Sequence, residues 1–299
     1  MNGLSDVRAF ERLLRNGAPE SEVDRFLNEL SPRIDADPLT KVLVQGFSNN
    51  GTLRDQLPFL AELYTKGIAI DRRPGSRVAF IFFSGILDYV NAANAHSRLC
   101  RINANCIYLY DETDMNYQFG VRPCGSDVGQ TYAALIQHVR DLGADRVITV
   151  GCSAGGFAAI KYALALNAYA SVTFSPFTSF TEEHQKRDGR GKTIVDRFRK
   201  TAPDLLIDLL PLLAKRDPPL KLACFYPKDM PQDAWHAERL QGLRDSFTIA
   251  VNRKTHNVFW PVVASGVFDT FMRPLADGLS LENSMALIRS GAAQARQAS

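Results

Sequence analysis

The chain has 299 residues, 45% of them hydrophobic and 22% charged, which describes an ordinary globular protein able to bury a sizeable core in one large or two modest domains. A net charge of +3 gives no reason to expect nucleic acid as a partner. The five cysteines (Cys100, Cys106, Cys124, Cys152 and Cys224) are odd in number, scattered and free of any CxxC, which speaks against a disulfide framework or a zinc site.

The N-terminus, "MNGLSDVRAFERLLRNGAPE", carries charges every few residues and lacks the apolar core of a signal peptide. No uncharged run approaches the ~20 residues of a spanning helix. A cytoplasmic, reducing setting is therefore expected, with no membrane span. Residues 3–15 place Leu4, Val7, Phe10, Leu13 and Leu14 at helical spacing, and Asn16-Gly17 ends that helix. "APESEVDRFLNEL" starts a second helix with Val23, Phe26, Leu27 and Leu30 on one face. The pair reads as a helical hairpin packed on a main domain, and as the surface for a homodimer or protein partner. Residues 38–66 continue as helix broken near "FSNNG", although "KVLVQGF" also reads as a strand.

From about Arg77 the texture changes. "RVAFIFF" (77–83), "CIYLY" (106–110), "RVITV" (146–150), "YASVTFS" (169–175), "LKLACFY" (220–226) and "SFTIAV" (246–251) are short, mostly continuous apolar runs, as expected of strands covered on both faces. Helical patterns at 87–101, 127–142, 155–167, 232–243 and 258–275 alternate with them. The expectation is an α/β fold: a mostly parallel sheet flanked by helices, with right-handed crossovers and a site at the carboxyl ends of the strands. Residues 181–219 interrupt the alternation. Their first half is basic, with seven Lys/Arg against four Asp/Glu over 181–200, and their second half is rich in leucine. This segment is longer than a usual connection and reads as a lid. The organisation expected is a helical segment at 1–70, a main domain at 71–280 with the insertion 181–219, and a C-terminal helix or tail at 281–299.

"RVITVGCSAGGFAAIKYALAL" (146–166) joins a strand to a helix through Gly151-Cys152-Ser153-Ala154-Gly155. This G-x-S-x-G resembles the nucleophile elbow of the α/β-hydrolase superfamily. In such a turn the positions two before and two after the nucleophile are crowded. Around Ser153 those positions are Gly151 and Gly155; around Cys152 they are Val150 and Ala154, and a valine does not fit. Ser153 is therefore the expected nucleophile and Cys152 a buried or lining thiol.

A serine hydroxyl needs a base and the base an orienting acid. The resemblance implies the chain order Ser, acid, His. His96 and His138 lie on helices outside that order, His184 sits in the insertion without a strand to hold it, and His236 reads as a helix-face residue at the pocket rim. His256, in the loop after the last strand, is the expected base. For the acid, Asp229 lies three residues past the strand "LKLACFY", while Asp233 reads as the cap of the next helix. "D-x-x-H-A-x-x-L" at 233–240 is similar to a helix start following the acid in some relatives, which favours Asp233 and leaves Asp229 as the alternative. The resemblance further implies an oxyanion hole from the N–H groups of Ala154 and of Gly85 or Ile86.

The likeness spans roughly residues 77–275. "YLYDETDMNYQFGVRPCG" (108–125) and "FSPFTSF" (174–180) are similar to bacterial hydrolases associated with surface-glycan or glycoprotein export. The activity implied is that of a serine esterase cleaving a small-molecule or glycan ester, for example an acylated carbohydrate, without metal or cofactor. An acyltransferase built on the same residues and a non-catalytic scaffold stand as the other two readings.

Overall fold

The structure is a computed structural model that describes residues 3–35, 37–85 and 89–288. Seven strands form one sheet: β1 (Ile68–Asp71), β2 (Val78–Phe83), β3 (Asn105–Leu109), β4 (Arg146–Cys152), β5 (Ala170–Phe174), β6 (Lys221–Pro227) and β7 (Ser246–Val251). Their spatial order is β1-β3-β2-β4-β5-β6-β7. All neighbours are parallel except β1, which runs antiparallel to β3 with Ile68 opposite Leu109.

The continuous apolar runs have a simple cause. Successive side chains of a strand point to opposite faces, so a sheet covered on both sides favours apolar residues at successive positions rather than at alternate ones. In β2, Phe80 and Phe82 enter the core on one face, and Ile81 and Phe83 enter the core on the other. The four-residue β1 was not foreseen. It is only partly buried, it ends at Asp71 before Arg72-Arg73, and it lies at the edge of the sheet, so it carries little apolar signal.

The helices around the sheet include α1 (Gly3–Arg15), α2 (Glu20–Leu30), α3 (Pro38–Phe47), α4 (Leu57–Lys66), α5 (Tyr89–Leu99), α6 (Val128–Asp141), α7 (Ala154–Ala165), α8 (Glu182–Arg187), α9 (Lys192–Thr201), α10 (Leu209–Lys215), α11 (Pro231–Gln241), α12 (Phe259–Ala264) and α13 (Val267–Ala276), and residues 281–288 are helical as well. None is long and apolar enough to cross a membrane. "KVLVQGF" lies inside α3. Asp37 caps that helix by accepting from the N–H groups of Leu39 and Thr40, and Thr40, Leu43, Val44 and Phe47 bury its inner side. The same carboxylate accepts from the Gly3 N–H, tying α1 to α3.

Helices α1–α4 share a core with the sheet. Phe10 meets Phe47 at 5.3 Å between ring centroids, and Phe59 packs edge-on against Tyr108 of β3 at 4.9 Å. The single helix expected over 258–275 is two: α12 ends at Ala264, Ser265 follows it, and Gly266, at φ +75°, turns the chain into α13. Of the C-terminal helix or tail expected at 281–299, residues 281–288 are helical and 289–299 lie outside the described residues.

Candidate active site

β4 sits in the middle of the sheet, and the chain leaves it through a sharp turn into α7. Ser153 occupies the turn with φ 53° and ψ −116°, a conformation in which an L-residue is strained. Two contacts hold it there: its N–H donates to the Phe174 carbonyl at 2.8 Å, and its own carbonyl accepts from Gly156 at 3.0 Å. The flanking glycines have no room for a side chain. A Cβ on Gly151 would lie 2.1 Å from the Gly155 carbonyl oxygen, and one on Gly155 would lie 2.1 Å from the Phe83 carbonyl oxygen. The Cys152 side chain is buried.

His256 hangs from the loop after β7, and its carbonyl accepts from the Ser175 hydroxyl at 2.5 Å. Its Nε2 lies 2.8 Å from Ser153 Oγ. Its Nδ1 lies 2.9 Å and 3.0 Å from the two carboxylate oxygens of Asp233. The chain thus brings Ser153, His256 and Asp233 into one hydrogen-bonded row from three separate strand ends. Asp229 is exposed on the turn after β6 and is not among the groups His256 touches.

Asp233 does not cap its helix. Met230 holds that position and Pro231 opens the helix, so Asp233 belongs to the first turn of α11, where a negative charge meets the positive end of the helix dipole. It is 1% exposed. Besides His256, its partner is Arg190 from the insertion, whose Nη2 donates to Oδ1 at 3.0 Å.

Ala154 is the first residue of α7, where N–H groups lack intrahelical acceptors. Gly85 lines a pocket of about 190 Å³ together with Ser153, Asn91, His256 and Phe259. Ile86, the other residue expected there, lies outside the described residues.

Behind His256 the insertion folds down on α11. Arg190 crosses the Phe177 ring at 5.2 Å and grips Asp188, with Nε 2.9 Å from both carboxylate oxygens and Nη2 bonded to Oδ2. His236 was expected as a helix-face residue at the pocket rim and His184 in the insertion without a strand to hold it. Both are instead 1% exposed, with ring centroids 4.7 Å apart. The cause is Phe177 and Phe180, which draw α8 onto α11 through ring contacts with His184 and, for Phe177, with His236. Burial, reinforced by His236, pushes the His184 imidazole down to about 3. Burial likewise lowers His236, against the pull of Asp188. Burial raises Asp188, but the facing His236 ring and the hydrogen bonds from Arg190 outweigh it and hold that carboxyl well below the usual range.

His184, Asp188 and His236 bring ligand-type atoms within 4.8 Å of one another. The hydrogen bonds around His236 decide how this group reads. Its Nδ1 accepts from the Thr178 backbone N–H at 3.1 Å and lies 2.8 Å from the Thr178 hydroxyl, which itself accepts from Arg239. An acceptor Nδ1 places the ring proton on Nε2, facing Asp188 at 3.4 Å, so that nitrogen has no lone pair for a cation. The group is therefore a buried polar support rather than a metal centre. Among the described residues, neither ring nitrogen of His184 nor Nε2 of His236 has a hydrogen-bond partner.

Sequence reasoning missed Asp188 and Arg190. The one local signal is the D-x-R of "RDGRG", two opposite charges at the end of a helix within an otherwise basic stretch.

No protein-family model matches the sequence, and no curated protein matches it. Among solved structures, ferulic-acid-bound Est1E from Butyrivibrio proteoclasticus is similar with a TM-score of 0.52 at 12% identity, over 69% of this chain and 93% of that one. MenH from S. aureus is similar with a TM-score of 0.48 at 13% identity, over 69% of this chain and 96% of that one. Likeness at such identities concerns the backbone architecture and not the activity. The central parallel strands, the crossover helices on both faces, the strand–turn–helix at Ser153 and the match to Est1E together identify the chain as having the α/β-hydrolase fold.

Proposed function

We propose that the chain is a serine hydrolase that cleaves a short carboxylic ester through an acyl-enzyme. The observation that supports this reading best is the row Ser153 Oγ, His256 Nε2, His256 Nδ1, Asp233, with 2.8 Å and 2.9 Å at its two junctions. In the reaction, Ser153 Oγ bonds to the ester carbonyl carbon while His256 Nε2 takes the hydroxyl proton. Asp233, buried beneath the ring, orients it by accepting from Nδ1 and stabilises the imidazolium. The oxyanion faces the start of α7 at Ala154 and the chain at Gly85, where N–H groups donate to the developing charge. The C–O bond then breaks, and the departing alkoxide takes the proton from Nε2. Water attacks the acyl-serine by the same route in reverse order of roles, releasing the carboxylic acid and restoring Ser153.

The pocket volume of about 190 Å³ favours a short acyl group over a long chain. Asn91 and Asn257 at its edge offer polar partners to an alcohol such as a sugar. The test is hydrolysis of p-nitrophenyl butyrate, with p-nitrophenyl decanoate and an acetylated sugar alongside. The wild type is expected to hydrolyse the butyrate ester and Ser153→Ala to lose the activity while keeping its circular-dichroism spectrum. Full activity in Ser153→Ala overturns the reading.

A further inference from the structure

A triad acid must hold one orientation without losing its charge. Two features of Asp233 make that difficult here. Its side chain is wholly enclosed, and it lies in the first turn of α11 rather than at the cap, so it does not take the backbone N–H bonds that a capping carboxylate would. The donor on its far side is a single guanidinium, Arg190, reached across 43 residues of chain from the insertion.

Arg190 is itself held. Its Nε and Nη2 engage Asp188, whose side chain is fully buried, while its own side chain is 31% exposed. Asp188 in turn accepts from the Arg190 backbone N–H at 3.0 Å and faces Nε2 of His236. His236 stands on α11, one helical turn beyond Asp233. The insertion and α11 are thus clamped together through the same few groups that reach the acid.

We infer that Arg190 is the positioning residue for Asp233, and that Asp188 is present to cancel its charge so that Asp233 keeps its own for His256. This inference rests on the reading of Ser153, His256 and Asp233 as one catalytic row.

The charge balance makes the second half necessary. Arg190 Nη1 lies 2.6 Å from His256 Nδ1. When Nδ1 carries its proton toward Asp233, the two nitrogens are both donors, so the guanidinium is kept there by its carboxylates and not by the ring. Standing alone, a guanidinium at that distance opposes the imidazolium that forms when Ser153 gives up its proton. Asp188 offsets it. Two carboxylates against one guanidinium leave one negative charge for the imidazolium. The groups that face the His256 ring are Asp233 from α11, Arg190 with Asp188 behind it from the insertion, Ser153 from the turn, and the uncharged Phe177 ring. His236 stands behind Asp188, and Arg253 and Lys254 lie exposed on the loop that carries His256.

The experiment uses the full-length protein and p-nitrophenyl butyrate, with kcat and KM followed across pH for Arg190→Gln, Arg190→Lys and Asp188→Asn. Arg190→Gln is expected to lower kcat by about tenfold to a hundredfold with KM within about twofold, since a misplaced acid misorients the base and leaves ester binding alone. The acidic limb of its kcat/KM profile moves up by about one on the pH scale, because a positive charge beside the ring is gone. In Asp188→Asn the same limb moves down, because Arg190 is no longer offset. Arg190→Lys keeps the charge but cannot span two carboxylates, so kcat falls while the limb stays in place. A purely structural role would not move the limb in opposite directions. Should Asp188→Asn fail to fold, the two Arg190 variants decide the matter. A kcat in Arg190→Gln equal to or above that of wild type, or an unmoved limb, overturns the inference. Labelling with a fluorophosphonate separates the two failures. If wild type labels at Ser153 and Arg190→Gln labels equally fast, the positioning role alone falls; if wild type does not label at Ser153, the catalytic row falls and this inference with it.

Discussion

Gly155→Ala puts the turn at Ser153 under direct load. The added Cβ would lie 2.1 Å from the Phe83 carbonyl oxygen and 2.6 Å from that of Ser84. A carbon and a carbonyl oxygen in weak contact stand ~3.3 Å apart or more, so the backbones must separate by about 1 Å. No flexible side chain can yield, because both obstructing atoms are main chain at the end of β2. The strand is buried on both faces, and α7 packs across β2, β4 and β5, so a shift there disturbs the middle of the core. Overpacking of this kind costs about 1–3 kcal/mol and occasionally more, and the main-chain clash places this substitution at the upper end. With a urea m-value on the order of 2 kcal/mol/M, the unfolding midpoint falls by roughly 1 M or more. Gly242→Ala is the control. Gly242 has nothing within 4 Å of its prospective Cβ, and its φ of −79° suits any residue. That change is expected to leave the midpoint unchanged or raise it, by about 0.4–1 kcal/mol of stability. A Gly155→Ala loss below ~1 kcal/mol, measured by urea titration with both fluorescence and circular dichroism, refutes the close approach and with it the steric account of the turn.

Asp233→Asn should lower kcat for p-nitrophenyl butyrate by about 10³-fold or more, as removal of the orienting charge does in other triads, while Asp229→Asn should stay within about twofold; the reverse ranking would transfer the acid to Asp229. Glu11 gives a pH-linked prediction remote from the site. Burial, with Asp114 adding to it, pushes its carboxyl up from 4.5 to about 7. The folded state therefore holds a proton that the unfolded chain releases, and stability falls as pH rises from about 4.5 to about 7. That separation corresponds to a penalty on the order of 3 kcal/mol above pH 7. Glu11→Gln is expected to gain much of it at pH 8 and little at pH 4 in thermal melts. Equal effects at both pH values would contradict the buried-carboxyl account.

The strand–helix alternation was legible because burial on both faces writes short, mostly apolar runs into β2, β3, β5 and β6. An edge strand of four residues writes no such run, so β1 escaped. The break at Gly266 was illegible for a different reason: helical periodicity continues through it, from Phe259 and Val263 to Phe268 and Met272, and only the positive φ of the glycine ends α12. Around the site, Ser153 and His256 could be picked out by spacing and chain order, since Ser153 follows directly from β4 and His256 lies in the short loop after β7. Two acids follow β6 four residues apart; the D-x-x-H-A-x-x-L likeness favoured Asp233, but spacing alone does not tell which carboxylate turns toward His256, and the structure puts Asp233 in the first turn of α11 with Asp229 exposed before it. Asp188 and Arg190 lie beyond sequence reasoning altogether. Their place beside Asp233 depends on α8 docking onto α11 through Phe177, Phe180 and two buried imidazoles, a long-range packing event that leaves only a short D-x-R in the sequence.

Intact-mass analysis with peptide mapping, after mixing the protein with p-nitrophenyl butyrate and quenching in acid, tests the central claim most directly. The account predicts one butyryl group per chain, located on Ser153, appearing with a burst of p-nitrophenol and missing from Ser153→Ala. An adduct on Cys152 or elsewhere, or turnover by Ser153→Ala at the wild-type rate, would contradict it.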